Sequence, residues 1–206
     1  MQKIMFNNQY GLTRAAIDGT KTNTRRGCKD MSTGEPILSA DVVSWRFYPD
    51  ENLVEFIMTD GSVKVAVPQY KVGEVVAIAQ SYKDVLEQMI DAKGGYGEEE
   101  NAFFELYKDT PGWNNKMFVK ADLMPHRIRI TDIKVERLQD ISDEDCLKEG
   151  IFDTMSNRIY HYKYPNSPRN YINPSEAFAA LIDKVSGRGT WKRNPWVFAY
   201  SYELVK

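Results

Sequence analysis

The chain has 206 residues, 42% of them hydrophobic and 12% aromatic, which suits one domain burying a sizeable core. Its 27 Lys and Arg against 29 Asp and Glu leave a net charge of −2, which excludes a protein that coats duplex nucleic acid non-specifically but allows a local basic pocket. Cys28 and Cys146 lie far apart without CxxC spacing, so a reduced, cytoplasmic chain is expected; the opening MQKIMFNN lacks a signal-peptide core, and no window approaches the ~20 apolar residues of a membrane span.

In chain order, KIMF reads as a short strand. Phe6, Tyr10, Thr13 and Ile17 then recur at helical spacing, with Asn7 or Asn8 as N-cap and Gly19 as the glycine past the C-terminus. DGTKTNTRR follows, so Lys21 to Arg26 are expected in a loop. Residues 27–40 are turn-rich. VVSWRFY, LVEFIM and VKVAV, separated by PDEN and TDGS, form an antiparallel meander. YKVGEVVAIAQSY enters a buried strand through a turn at Gly73, and a helix is expected from Ser81 to about Ala92, closed by Gly94. Residues 94–115 read as an irregular excursion.

From His126 to Leu138 the pattern is strand again. Ile128 and Ile130 hold one parity and Ile133 and Val135 the other, which predicts a bulge at Thr131-Asp132. ISDEDCLKEG is a short helix with Ser142 as N-cap, Asp145 at its third position and an Ile141–Cys146 staple. NPSEAFAALIDKVSG is a second helix, capped by Asn173 and ended at Gly187, whose stripe of Ala177, Phe178, Leu181, Ile182 and Val185 reads as packing. WVFAYSYELV, apolar on both faces, fits a strand inside a barrel. The expected fold is α+β, mainly β: a small barrel with short peripheral helices and inserted antiparallel hairpins.

Two places could carry chemistry. Glu149, in the last turn before Gly150, faces the negative end of a helix dipole, at a cost of ~0.3–1 kcal/mol. That placement, with any burial, raises a carboxyl pKa. The residue is either a solvated helix end or a proton donor and acceptor. The other place is Lys21–Arg26. The Thr24 hydroxyl is a poor nucleophile without a neighbouring base. Lys21 can be that base only if its pKa falls well below ~10.4. Arg25 and Arg26 push in that direction, and partial burial is also required. The same residues equally fit a mobile basic loop or a phosphate-binding patch.

The element Gly19-x-Lys21-x-x-Thr24-x-Arg26, the turn Val72-Gly73-Glu74, the run Ile141-Ser142-x-Glu144-Asp145 leading to Glu149-Gly150, and the closing Asn194-Pro195-Trp196-Val197 occur in that order. Together they resemble the ASCH domain, a superfamily of PUA-like barrels, in the longer form encoded by phages and prophages. Relative to a minimal domain, residues 28–68, 94–115 and 152–172 are insertions within one domain spanning 1–206. The resemblance implies a basic cleft that binds RNA or a modified nucleoside or nucleotide, without a cofactor. In the small ASCH enzymes that hydrolyse N4-acetylcytidine, a lysine and threonine of the KxxT element act with a helix glutamate. Carried over, these are Thr24 as nucleophile, Lys21 as base and Glu149 as proton shuttle. This chain departs from the small enzymes in its length and in carrying both Arg25 and Arg26.

Beyond these, Trp191, Lys192 and Arg193 in GRGTWKRNP form a second candidate for phosphate contact. Tyr82, Trp113 and Trp191 could stack a base, whereas Trp196 is expected in the core. Arg127 and Arg129 alternate with isoleucines and face away from it. His126, His161 and the two cysteines have no ligand spacing, so no metal is expected.

Overall fold

A computed structural model describes residues 1–156 and 159–205; of the expected insertion 152–172, residues 157 and 158 lie outside the described part. The strands are β1 (Lys3–Ile4), β2 (Asn23–Gly27), β3 (Val42–Tyr48), β4 (Leu53–Met58), β5 (Val63–Ala66), β6 (Val75–Ile78), β7 (Arg127–Arg137), β8 (Phe152–Ser156), β9 (Ile159–Lys163) and β10 (Trp196–Val205). The helices are α1 (Leu12–Ile17), α2 (Tyr82–Lys93), α3 (Glu98–Tyr107), α4 (Asp143–Lys148), α5 (Pro174–Val185) and α6 (Thr190–Arg193).

Five strands form the main sheet in the order β1-β6-β7-β10-β2. Only β1 and β6 run parallel. The fold is therefore α+β, as expected, but the strand ladder ends at β1 on one side and β2 on the other. Among the described residues, no pairing closes it into a barrel. The apolar strand 196–205 is instead flanked by β7 and β2 inside an open sheet, and residues of both parities are buried from Trp196 to Tyr200. The meander β3-β4-β5 forms antiparallel as read. It rests on the main sheet where Trp45 and Phe56 meet the Trp196 ring, at centroid distances of 5.6 and 5.4 Å.

The bulge in β7 lies where the parity changes. Ser201 pairs with Asp132 and Tyr202 with Ile130, so Thr131 is the extra residue. Ile128, Ile130, Ile133 and Val135 are all buried as a result, while Arg127 and Arg129 stay exposed. Without that extra residue the second pair would turn to solvent.

Three local expectations are corrected. The first helix begins at Leu12, not near Asn8, because Asn7 and Gly11 form a turn instead. The Asn7 side chain accepts from the Tyr10 N–H at 3.3 Å. Gly11 takes φ +64, where a Cβ would lie 2.7 Å from Pro165 Cβ, so only glycine fits. Residues 94–115 contain α3, whose first turn Glu98-Glu99-Glu100 favours the positive end of the helix dipole. Glu100 also reaches back to accept from the Gly97 N–H at 2.8 Å. Lastly, residues 23–27, expected in a loop, are strand β2, because β10 supplies their hydrogen-bond partners from Asn23 through Gly27.

Helix α2 ends at Gly94 as read, at φ 74, and reciprocal Ser81–Asp84 bonds at 3.1 and 3.2 Å close its start. It packs with α3 over a second apolar cluster containing Tyr82, Val85, Phe103, Tyr107 and Trp113. Tyr82 is buried, and Trp113 packs edge-on against Phe104 at 5.4 Å, so both take part in packing.

Candidate functional site

Two short elements bring the candidate residues together. After α1 the chain turns at Gly19 (φ 74), and the Lys21 N–H bonds back to Ala15 O at 2.9 Å. The next amide, Thr22 N–H, reaches Lys148 O at 2.8 Å, which ties this turn to the end of α4. On the α4 side, Ser142 accepts from the Asp145 N–H at 3.1 Å, and Ile141 and Cys146 are buried as the staple requires. Glu149 closes the helix, and Gly150, at φ +97, redirects the chain.

Lys21 and Glu149, 128 residues apart, meet in the interior. Lys21 Nζ donates to Glu149 Oε2 at 2.5 Å, to Glu149 O at 2.9 Å and to Asn23 O at 2.7 Å. The pair is 2% and 4% exposed, respectively. The second Glu149 oxygen accepts from Arg25 Nη1 at 3.1 Å, so two cations offset the unfavourable end of the α4 dipole. Burial lowers the Lys21 pKa. Glu149 opposes that shift, and Arg26 and Arg25 add smaller lowering effects. The direction expected from the sequence holds, but desolvation dominates it rather than the neighbouring arginines.

Arg25, expected among the phosphate-contacting residues, is occupied elsewhere. Its guanidinium is held by Glu136 at 2.7 Å, Asp145 at 3.2 Å and Glu149 at 3.1 Å, with 1% of the side chain exposed. A cation already bound by three carboxylates has little left for a ligand anion, and its role is to hold Glu149 in place. Arg26 is partly exposed. It donates from Nη2 to Met5 O at 2.6 Å.

Thr24 pairs with Tyr200 in the sheet and is buried. Among the described residues its hydroxyl makes no hydrogen bond. Thr24, Lys21, Glu149 and Arg26 line one cavity of about 280 Å³. Phe178, Leu181, Ile182 and Val185 from α5 form its apolar wall. That stripe, read from the sequence as packing, also forms one wall of the pocket. A lone amphipathic pattern cannot distinguish the two uses.

Lys116 also lines this cavity and escaped the sequence reading. It sits just past the excursion at 94–115, with no motif to mark it. Its ammonium donates to Asn8 Oδ1 at 2.7 Å, to Thr13 Oγ1 at 3.2 Å and to Phe6 O. Burial pulls its pKa down to about 8.

The cluster 191–193 does not act as a unit. Trp191 packs edge-on against Phe178 at 6.1 Å and lines neither this cavity nor its neighbour, and the same is true of exposed Lys192. Arg193 lines the neighbouring cavity, about 460 Å³, together with Arg25, Arg26, Lys29, Ile182 and Ser186. His126 bonds Gln88 at 2.9 Å, and among the described residues no three His, Cys, Asp or Glu gather as metal ligands would. No helix there is long and apolar enough to cross a membrane. Compared with protein-family models, with curated proteins and with solved structures, the chain gives no match.

Proposed function

We propose that this protein is an ASCH-type, PUA-like module whose Lys21–Thr24–Glu149 cavity binds RNA or a modified nucleoside or nucleotide. The observation that carries this reading is the convergence of a buried Lys–Glu pair and an unpartnered threonine hydroxyl on one cavity with an apolar wall. An apolar wall with hydrogen-bonding groups at its edge suits a nucleobase. The placement of the motif blocks adds support. The 19–26 element meets the 141–150 run through Lys21–Glu149 and Thr22–Lys148. The 194–197 block joins β7 where Leu138 N–H reaches Pro195 O at 2.9 Å, and Gly73-Glu74 bonds to Ile130. In a binding assay, RNA affinity should fall steeply with added salt. Affinity indifferent to salt would rule out phosphate contact.

A second reading, hydrolysis of N4-acetylcytidine or a similar acylated nucleobase, is favoured by the lowered pKa of Lys21 on the cavity that Thr24 also lines. For Lys21 to act as a base, its proton first passes to Glu149 along their shared hydrogen bond. Thr24 Oγ1 then bonds to the acyl carbon and gives its proton to the neutral Lys21 amine. The amide C–N bond breaks as protonated Glu149 delivers a proton to the leaving amine. The pair is thereby restored as ammonium and carboxylate, and water hydrolyses the acyl-threonine ester. The test is incubation with N4-acetylcytidine and chromatographic detection of cytidine. Thr24→Val and Lys21→Ala should both abolish release; activity surviving in either would refute the assigned roles.

A further inference from the structure

We infer that the neighbouring cavity is a phosphate subsite, so that the ligand spans both cavities and is phosphorylated. This rests on the nucleoside reading of the first cavity. The two spaces share Arg25, Arg26, Ile182 and Ser186 as lining residues, so one ligand can bridge them across β2 and the end of α5.

The charged residues lining the second cavity are Arg25, Arg26, Lys29 and Arg193, with no carboxylate among them. Arg25 is already neutralised. Arg26, Lys29 and Arg193 are not: among the described residues, none has a carboxylate within ion-pair distance. Arg26 donates to Met5 O and Arg193 to Thr190 Oγ1, and each guanidinium carries five donors. In a chain of net charge −2, three unpaired cations around one concavity are the local imbalance that a phosphate would correct. The Ser186 and Thr190 hydroxyls that also line it can partner a ribose. Lys29 lies in the segment 28–68 beyond the minimal domain, so that segment gains a role in selecting ligands.

The test is calorimetric titration of the full chain with cytidine, cytidine monophosphate, a short oligocytidylate and inorganic phosphate. Cytidine monophosphate should bind about tenfold tighter than cytidine or better, as charge-assisted contacts imply. Lys29→Gln/Arg193→Gln, both exposed positions, should bring that ratio close to one. Lys71→Gln/Arg127→Gln removes the same charge from exposed positions outside both cavities and should leave it intact. An oligocytidylate that outcompetes the mononucleotide assigns the phosphate to an RNA strand; equal affinities assign it to a free nucleotide. Equal binding of cytidine and its monophosphate, or a ratio the Lys29/Arg193 variant does not move, overturns the subsite and leaves the nucleoside reading standing. Inorganic phosphate binding that this variant abolishes, with no cytidine binding, supports the subsite and refutes the nucleoside reading. If no probe binds, both fall.

Discussion

Replacing Glu149 with Gln keeps the side chain's shape and removes the charge that Lys21 and Arg25 share. Breaking a buried ion pair from one side typically costs about 3–5 kcal/mol, because the partner is left uncompensated. Two features put this case near the bottom of that range. Arg25 retains Glu136 and Asp145, and Lys21 retains the carbonyls of Asn23 and residue 149. A loss of about 3 kcal/mol at pH 7 follows, or a melting point lower by about 6–12 °C for a chain of this size. The pH dependence is the sharper signature. The Lys21 pKa in the folded protein lies below the ordinary 10.5. Between the folded and unfolded values the unfolded chain binds more protons, so the contribution of Lys21 to stability rises with pH. Removing Glu149 removes the partner that raises this pKa. In E149Q the rise therefore starts at lower pH and is larger, and the deficit against the parent narrows between neutral and alkaline solution. Urea unfolding of both proteins across that range measures it. A deficit below about 1 kcal/mol at pH 7, or one that widens with pH, would refute the reasoning.

Gly150→Ala should destabilise by about 1–2 kcal/mol through its positive φ alone. The added Cβ would sit 3.6 Å from Lys21 Cβ, an ordinary contact, and an unchanged urea midpoint would contradict this. Asn173→Ala removes an N-cap oxygen that accepts from the Glu176 N–H at 2.8 Å; the expected loss is about 1 kcal/mol, read as a lower thermal midpoint. Burial pushes the Cys146 thiol up to about 12 and raises Cys28 strongly as well, so at pH 8 neither should react with iodoacetamide until the chain is unfolded. Labelling of the native protein would show that these sites open readily.

What could be read from the sequence was governed by how local the cause was. Ser81, Asp84 and Gly94 close their helix through partners a few residues away, and the Thr131 bulge is written into a parity change within one strand. Strand β2 was illegible for the opposite reason. NTRRG has no apolar alternation, yet Asn23, Thr24 and Arg25 are buried. Arg25 is made tolerable there by Glu136, Asp145 and Glu149, all more than 100 residues away. Composition shows such a stretch as a polar loop, because the charges that neutralise it are invisible locally. Lys21 and Glu149 were singled out by helix-dipole logic and motif spacing, and the geometry pairs them. Lys116, Lys29 and the α5 wall enter the cavities only through tertiary packing.

The sheet order has a consequence for when the site can exist. Among the described residues, strand β2 joins the main sheet only through β10, although some 170 residues lie between them in the chain. A nascent polypeptide halted before residue 196 therefore carries Thr24 and Arg25 with no neighbouring strand to hold them. Such distant pairing is slow, because chain closure must precede any gain from contact. The Thr24 and Arg25 side of the cavity is thus among the last parts to assemble. Any reactivity at Thr24 is timed by folding and requires that residues 196–205 have been made.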